Sequence, residues 1–190
     1  MAVLGKLLKN RRAGQAGLAW NVPGLSGPET LALSSPDLDH EGQIAAAQAS
    51  KRVGGSDRSP ALTWAAVPEG TAQLLLVVED PDAPTRLPFV HCVALLERSV
   101  TSLAQGALDA RSPQPGVRVL RSGMGRGYLG PAPIKGHGPH RYVFQLFALA
   151  KPVAIGPDGA VLESAKPRDV LAAAGPVTVR GRLDGFYERT

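Results

Sequence analysis

His91 and Cys92 are neighbours, and an imidazole beside the single thiol of the chain is what a cysteine nucleophile would need. Strand geometry argues against it. Across FVHCVALLE successive side chains leave on opposite faces, so the two cannot share a proton and Cys92 reads as a small core residue. His40, His91, His137 and His140 with Asp80 and Asp82 include the donor types of a metal site, but His137-Gly-Pro-His140 lies in a turn entering a strand rather than on one rigid face. Gly125-Arg126-Gly127-Tyr128-Leu129-Gly130 has the spacing of a dinucleotide fingerprint. PAPIKGHGPH follows it, however, and Pro131 and Pro133 forbid the helix whose amides would hold a pyrophosphate. A glycine-rich pocket wall is compatible with the same residues. Hydrolysis lacks a nucleophile, because Thr85 and Ser122 fall in loops where periodicity places no base.

Two stretches bring polar groups together. EDPDAPTRLPFVH, Glu79 to His91, follows directly on the apolar QLLLVV. Asp80 precedes Pro81 and Ala83 precedes Pro84, so both are biased to extended backbone, and Asp80 and Asp82 are held at a strand exit. In GPHRYVFQLFALA, alternation places His140, Tyr142, Phe144 and Leu146 on one face and Arg141, Val143, Gln145 and Phe147 on the other. His140 and Tyr142 can therefore present a donor pair together.

The elements that must position these groups are short strands separated by turns: LALSS, ALTWAAV, QLLLVVED, FVHCVALLE, VRVL, HRYVFQLFALA and VTVRGRL. Helices are expected at Val100 to Ala107 and at Pro167 to Ala174, the latter with Pro at its start and Gly175 past its end. Neither alternates regularly with strands, which favours a largely antiparallel sheet or sandwich over repeated βαβ units. With 190 residues, 44% hydrophobic, 22 Gly and 17 Pro, the chain suits one mainly β domain with a substantial core. Residues 1–28 read as a basic, partly ordered N-terminal arm and residues 29–190 as the domain. Val3, Leu4, Leu7 and Leu8 line one side of a short helix in that arm, suited to packing on the domain, on a second copy in a homodimer, or weakly on an anionic membrane. Its bases lie inside and after the apolar patch, the reverse of a secretory signal, and no run reaches the roughly 18 apolar residues of a spanning helix. The lone cysteine gives no sign of an oxidising compartment, so a cytoplasmic location is expected. A net charge of +5 suits anionic partners, but aromatics at 5% offer no stacking platform, and nucleic acid is not expected.

EDPDAPTRLPFVH and YLGPAPIKGHGPHRYVFQLFAL together resemble the two signature regions of the phosphatidylethanolamine-binding protein family, particularly its bacterial Raf-kinase-inhibitor-like branch. SPALTWAAVPEGTAQLLLVVEDPDAP resembles that branch's approach to the first signature, and the likeness runs from about Thr30 to Arg189. It implies a large antiparallel sheet packed against a smaller one, with a few peripheral helices and a small anion pocket at one end. Carried over by position, that pocket is lined by Asp80, Asp82, Pro84, His91, Ala132, Pro133, His140 and Tyr142. The resemblance further implies a non-enzymatic protein without cofactor or metal, binding phosphate or a phosphorylated small molecule such as a phosphorylethanolamine-like head group. The family's kinase and protease inhibitors imply a protein partner at the same surface. Cys92, Ala132 and Ile134 depart from the family pattern, where Trp, Gly and a second Pro are common, so the pocket rim is its least typical part.

Overall fold

The computed structural model describes residues 2–156 and 161–189. The arm begins as helix α1 (Ala2–Leu8) and continues through single 3-10 turns to Leu25. Strands follow in the order β1 (Leu33–Ser34), β2 (Gly42–Gln43), β3 (Leu62–Trp64), β4 (Gln73–Asp80), β5 (Phe89–Glu97), β6 (Ser102–Leu103), β7 (Val117–Val119), β8 (Arg121–Ser122), β9 (Gly125–Arg126), β10 (His140–Leu149) and β11 (Val177–Tyr187), with helix α2 (Pro167–Ala173) before the last. The main sheet has the order β2-β11-β10-β4-β5-β7 and is antiparallel except where the two-residue β2 pairs parallel to β11. A small sheet, β1-β3-β6, packs over it, and β8-β9 is a separate hairpin.

QLLLVVED is the centre of the main sheet because both of its faces are apolar. Leu74, Leu76 and Val78 point to the small sheet, packing with Leu33, Leu62 and Leu103, while Leu75 and Val77 pack on the other face with Leu25, Phe147 and the α2 residues Val170 and Leu171. Each such fully buried Leu, Val or Phe side chain contributes roughly 1.5–3 kcal/mol of transfer free energy.

The region Val100–Ala107 departs from its expected helix. Val100, Leu103 and Ala107 have helical spacing, but Leu103 pairs with Leu62 in the small sheet, and the Gln114 side chain takes the Ala104 amide and the Ser102 carbonyl. Sheet pairing and a side-chain bracket win over a short apolar stripe.

The arm is laid along the domain rather than set apart from it. Ala13 and Gly14 donate backbone hydrogen bonds to Ala83 and Pro81, Trp20 packs on Phe147, and the Arg180 guanidinium stacks 3.9 Å over the Trp20 ring. Gly5 lets α1 sit against the Lys135–His137 backbone, since a Cβ there would lie 2.2 Å from the Lys135 carbonyl oxygen. No helix among the described residues is long and apolar enough to cross a membrane.

Candidate functional site

β4 and β5 pair Val78 with Cys92 and then Glu79 with Val90, which leaves His91 as the extra residue of a β-bulge. Val90 packs with Val93 and Leu95, whereas Cys92 packs with Val78 and Tyr142 on the opposite face. The bulge turns His91 to the Tyr142 side, its ring edge-on to Tyr142 at 5.0 Å and to Phe89 at 4.9 Å. Simple alternation therefore fails at His91, and this corrects the expectation that His91 and Cys92 face apart. They still share no proton. The His91 Nδ1–H donates to the Leu129 carbonyl at 2.7 Å, and complete burial pushes the Cys92 thiol up to about 12. Native protein is expected to resist a thiol-specific chromogenic reagent at neutral pH and to titrate its single thiol only after unfolding.

A cleft of about 530 Å³ opens where β4, β5 and β10 meet, walled by segments around Ser50–Asp57 and Leu129–Ile134. Of the residues singled out by sequence, Asp80, Pro84, His91, Ala132, Pro133, His140 and Tyr142 line it. Asp82 does not. Its oxygens accept the Arg141 amide at 2.7 Å and pair with Arg12 at 2.7 Å, so it fastens the arm and the start of β10. Sequence reasoning did not single out Phe89, Met124, Arg52 or Asp57, which also line the cleft. The Arg52 guanidinium makes no ion pair among the described residues and lies 3.9 Å from the Met124 sulfur. Asp57, in the left-handed backbone region, accepts the Gly130 and Lys51 amides. Gly130 itself is required, because a Cβ would lie 2.5 Å from the Ser50 nitrogen where the two wall segments cross. The glycine run opens no helix: it contributes β9, the buried Tyr128 and this crossing.

From the lining a chain of short contacts runs inward. Asp80 Oδ2 lies 2.7 Å from His140 Nδ1, His140 Nε2 lies 2.7 Å from His137 Nδ1, and His137 Nε2 lies 2.8 Å from the Leu8 carbonyl at the end of α1. The carbonyl can only accept, so His137 carries a hydrogen on Nε2, and each of the other two contacts needs one hydrogen of its own. These contacts commit both nitrogens of His140 inside the protein, so His140 positions Asp80 and does not donate into the cleft. His137 reads as a turn histidine by sequence; its i to i+3 spacing from His140 is the available signal, and α1 supplies the Leu8 carbonyl that its other nitrogen meets.

Tyr142 is buried; the Ala132 amide approaches its oxygen, but its hydroxyl hydrogen has no acceptor among the described residues. Burial, reinforced by Asp80, raises its pKa, so the phenol stays protonated and is a donor waiting for an acceptor. Thr85 is exposed on the cleft, but its hydroxyl donates to the Leu87 carbonyl, and Ser122 is buried, so among the described residues neither hydroxyl is hydrogen-bonded to a base. No group of three His, Cys, Asp or Glu residues among those described could hold a metal ion.

Comparison with known proteins gives a consistent result. Residues 34–181 match the family model described as phosphatidylethanolamine-binding protein. The chain is 34% identical over 197 residues to the phomoidride biosynthesis cluster protein B of a fungal species, covering 98% of this chain and 93% of that one. It is 35% identical over 139 residues to the UPF0098 protein of Aquifex aeolicus, covering 71% and 77%. Its fold superposes on the crystal structure of E. coli YbcL, described as a new member of the mammalian PEBP family, with a TM-score of 0.70 and 29% identity, over 84% of this chain and 99% of that one.

Proposed function

The chain belongs to the phosphatidylethanolamine-binding protein family, and from that premise we propose that it is a non-enzymatic binding protein whose cleft takes phosphate-bearing ligands, either free phosphorylated molecules or phosphorylethanolamine-like head groups. The observation that carries this is the Tyr142 hydroxyl, a buried O–H on the cleft lining whose hydrogen has no acceptor among the described residues. Leaving such a donor unmade costs about 1–3 kcal/mol, which an acceptor oxygen of a ligand recovers. Arg52 on the same lining supplies an uncommitted positive charge, and the apolar remainder, including Phe89, Met124 and Leu129, lowers the local dielectric and strengthens both contacts. Among the described residues no hydroxyl or thiol is hydrogen-bonded to His91, which favours binding over turnover.

Calorimetric titration with inorganic phosphate and with phosphorylethanolamine, paired with NMR of the aromatic rings, tests this. Saturable one-site heat is expected, with shift changes centred on Tyr142, His91 and Phe89. No saturable heat from either compound, or shift changes remote from those rings, would sink the proposal.

A further inference from the structure

Resting on that reading, we infer that the cleft binds its phosphoryl group together with one proton, held between a ligand oxygen and His91 Nε2, so that the bound species is the protonated monoanion or its equivalent. The inference begins with the tautomer. His91 Nδ1 lies 2.7 Å from the Leu129 carbonyl, which can only accept, so the ring hydrogen of a neutral His91 sits on Nδ1. Nε2 then carries a lone pair, and it has no partner among the described residues. Since His140 has both nitrogens committed to Asp80 and His137, His91 is the imidazole of this pair with a nitrogen left for ligand.

A fully ionised phosphoryl oxygen has nothing to donate, and placed against a lone pair in a poorly solvated cleft it is repelled. One added hydrogen converts that contact to a hydrogen bond, whether it arrives as P–OH donating to Nε2 or as an imidazolium donating to P–O⁻. In both cases a proton is drawn from solvent and no other bond is made or broken. The groups facing His91 are Asp80 from β4, His140 and Tyr142 from β10, and Asp57 and Arg52 from the wall segment. Burial lowers the His91 pKa in the unliganded protein, with His140 acting in the same direction and Asp80, Asp57 and the Leu129 hydrogen bond against it, so the ring enters the encounter neutral. The other polar contacts of the cleft do not need this proton: Tyr142 donates and Arg52 is cationic in any case. The proton requirement is therefore specific to His91, and it makes the cleft select for a phosphoryl group that can carry or share a hydrogen.

Phosphorylethanolamine titrated in two buffers of different ionisation enthalpy reports the protons taken up per ligand. At about pH 8, where a phosphomonoester is mostly dianionic, uptake of about one proton is expected, and above that pH affinity should fall about tenfold per unit. Ring ¹⁵N spectra of the same samples should show His91 Nε2 unprotonated in the free protein and moving toward the protonated position on binding. In His91→Gln, whose side-chain amide can donate directly, uptake should drop below half of the wild-type value. Binding with no proton uptake, an unmoved Nε2 resonance, or undiminished uptake in His91→Gln would each overturn the inference while leaving phosphate binding intact. Absence of binding under all conditions would instead overturn the reading on which it rests.

Discussion

Tyr142→Phe should weaken phosphate or phosphorylethanolamine binding by about 10–100-fold while leaving the protein as stable as the wild type or more so. Its hydroxyl hydrogen has no acceptor among the described residues of the free protein, so deleting it removes the desolvation cost of an unmade donor and loses only the approach of the Ala132 amide to its oxygen. In the complex the same hydroxyl would donate to a charged oxygen, a bond worth about 1.5–3 kcal/mol, and each 1.4 kcal/mol is a factor of ten in Kd. The ring, packed in the core with Phe144 and Leu146 and edge-on to His91, is retained. Opposite signs for affinity and stability are diagnostic, because a purely structural tyrosine would lose both. Parallel calorimetry and urea denaturation check it, and unchanged affinity would remove Tyr142 from the site.

The residues that made the fold readable are those whose surroundings are uniform. β4, β5 and β10 are apolar on both faces, so their strand character is written in their composition, and their pairing places the two polar stretches side by side at one sheet end. The set Asp80, His91, His140 and Tyr142 comes from the resemblance of those two stretches to the family signatures, and this pairing is the physical reason that they meet. What alternation could not express is an irregularity: one extra residue in β5 reverses the face of His91, and nothing in FVHCVALLE marks where it falls. Donor and acceptor roles were equally hidden. They depend on partners brought from far along the chain, the Leu129 carbonyl for His91 and the Leu8 carbonyl for His137. Asp80 and Asp82 look equivalent in DPD, yet one is caught by His140 and the other by Arg141 and Arg12. Arg52 and Met124 reach the cleft through loops with no periodicity to read.

The third acid of the same stretch, Glu79, faces neither ligand nor solvent, and its replacement by alanine should cost about 3–5 kcal/mol of stability. Its Oε2 accepts the Ala19 amide at 2.6 Å and the Gln145 side chain at 2.9 Å, and its Oε1 lies 2.8 Å from the Arg168 guanidinium. Arg168 in turn donates to the Gly17 and Pro88 carbonyls. One carboxylate therefore ties together the arm, the central strand, β10, α2 and the loop that leads into β5. Alanine leaves the Ala19 donor and the Gln145 amide orphaned around a void. Glutamine keeps an acceptor for both and loses only the partner of Arg168, which is near enough to water to be resolvated, so Glu79→Gln should cost about 1–2 kcal/mol. Burial raises the Glu79 pKa above its ordinary 4.5, with Arg168 and the hydrogen bonds opposing. Between that value and the raised one the folded state holds more protons than the unfolded, so this group's contribution to stability grows as pH falls through the window and fades as pH rises. Urea denaturation across that window should show the increment in wild type and its absence in Glu79→Gln. Equal losses for the alanine and glutamine variants would mean that the charge, rather than the acceptor it supplies to the arm, holds these five segments together.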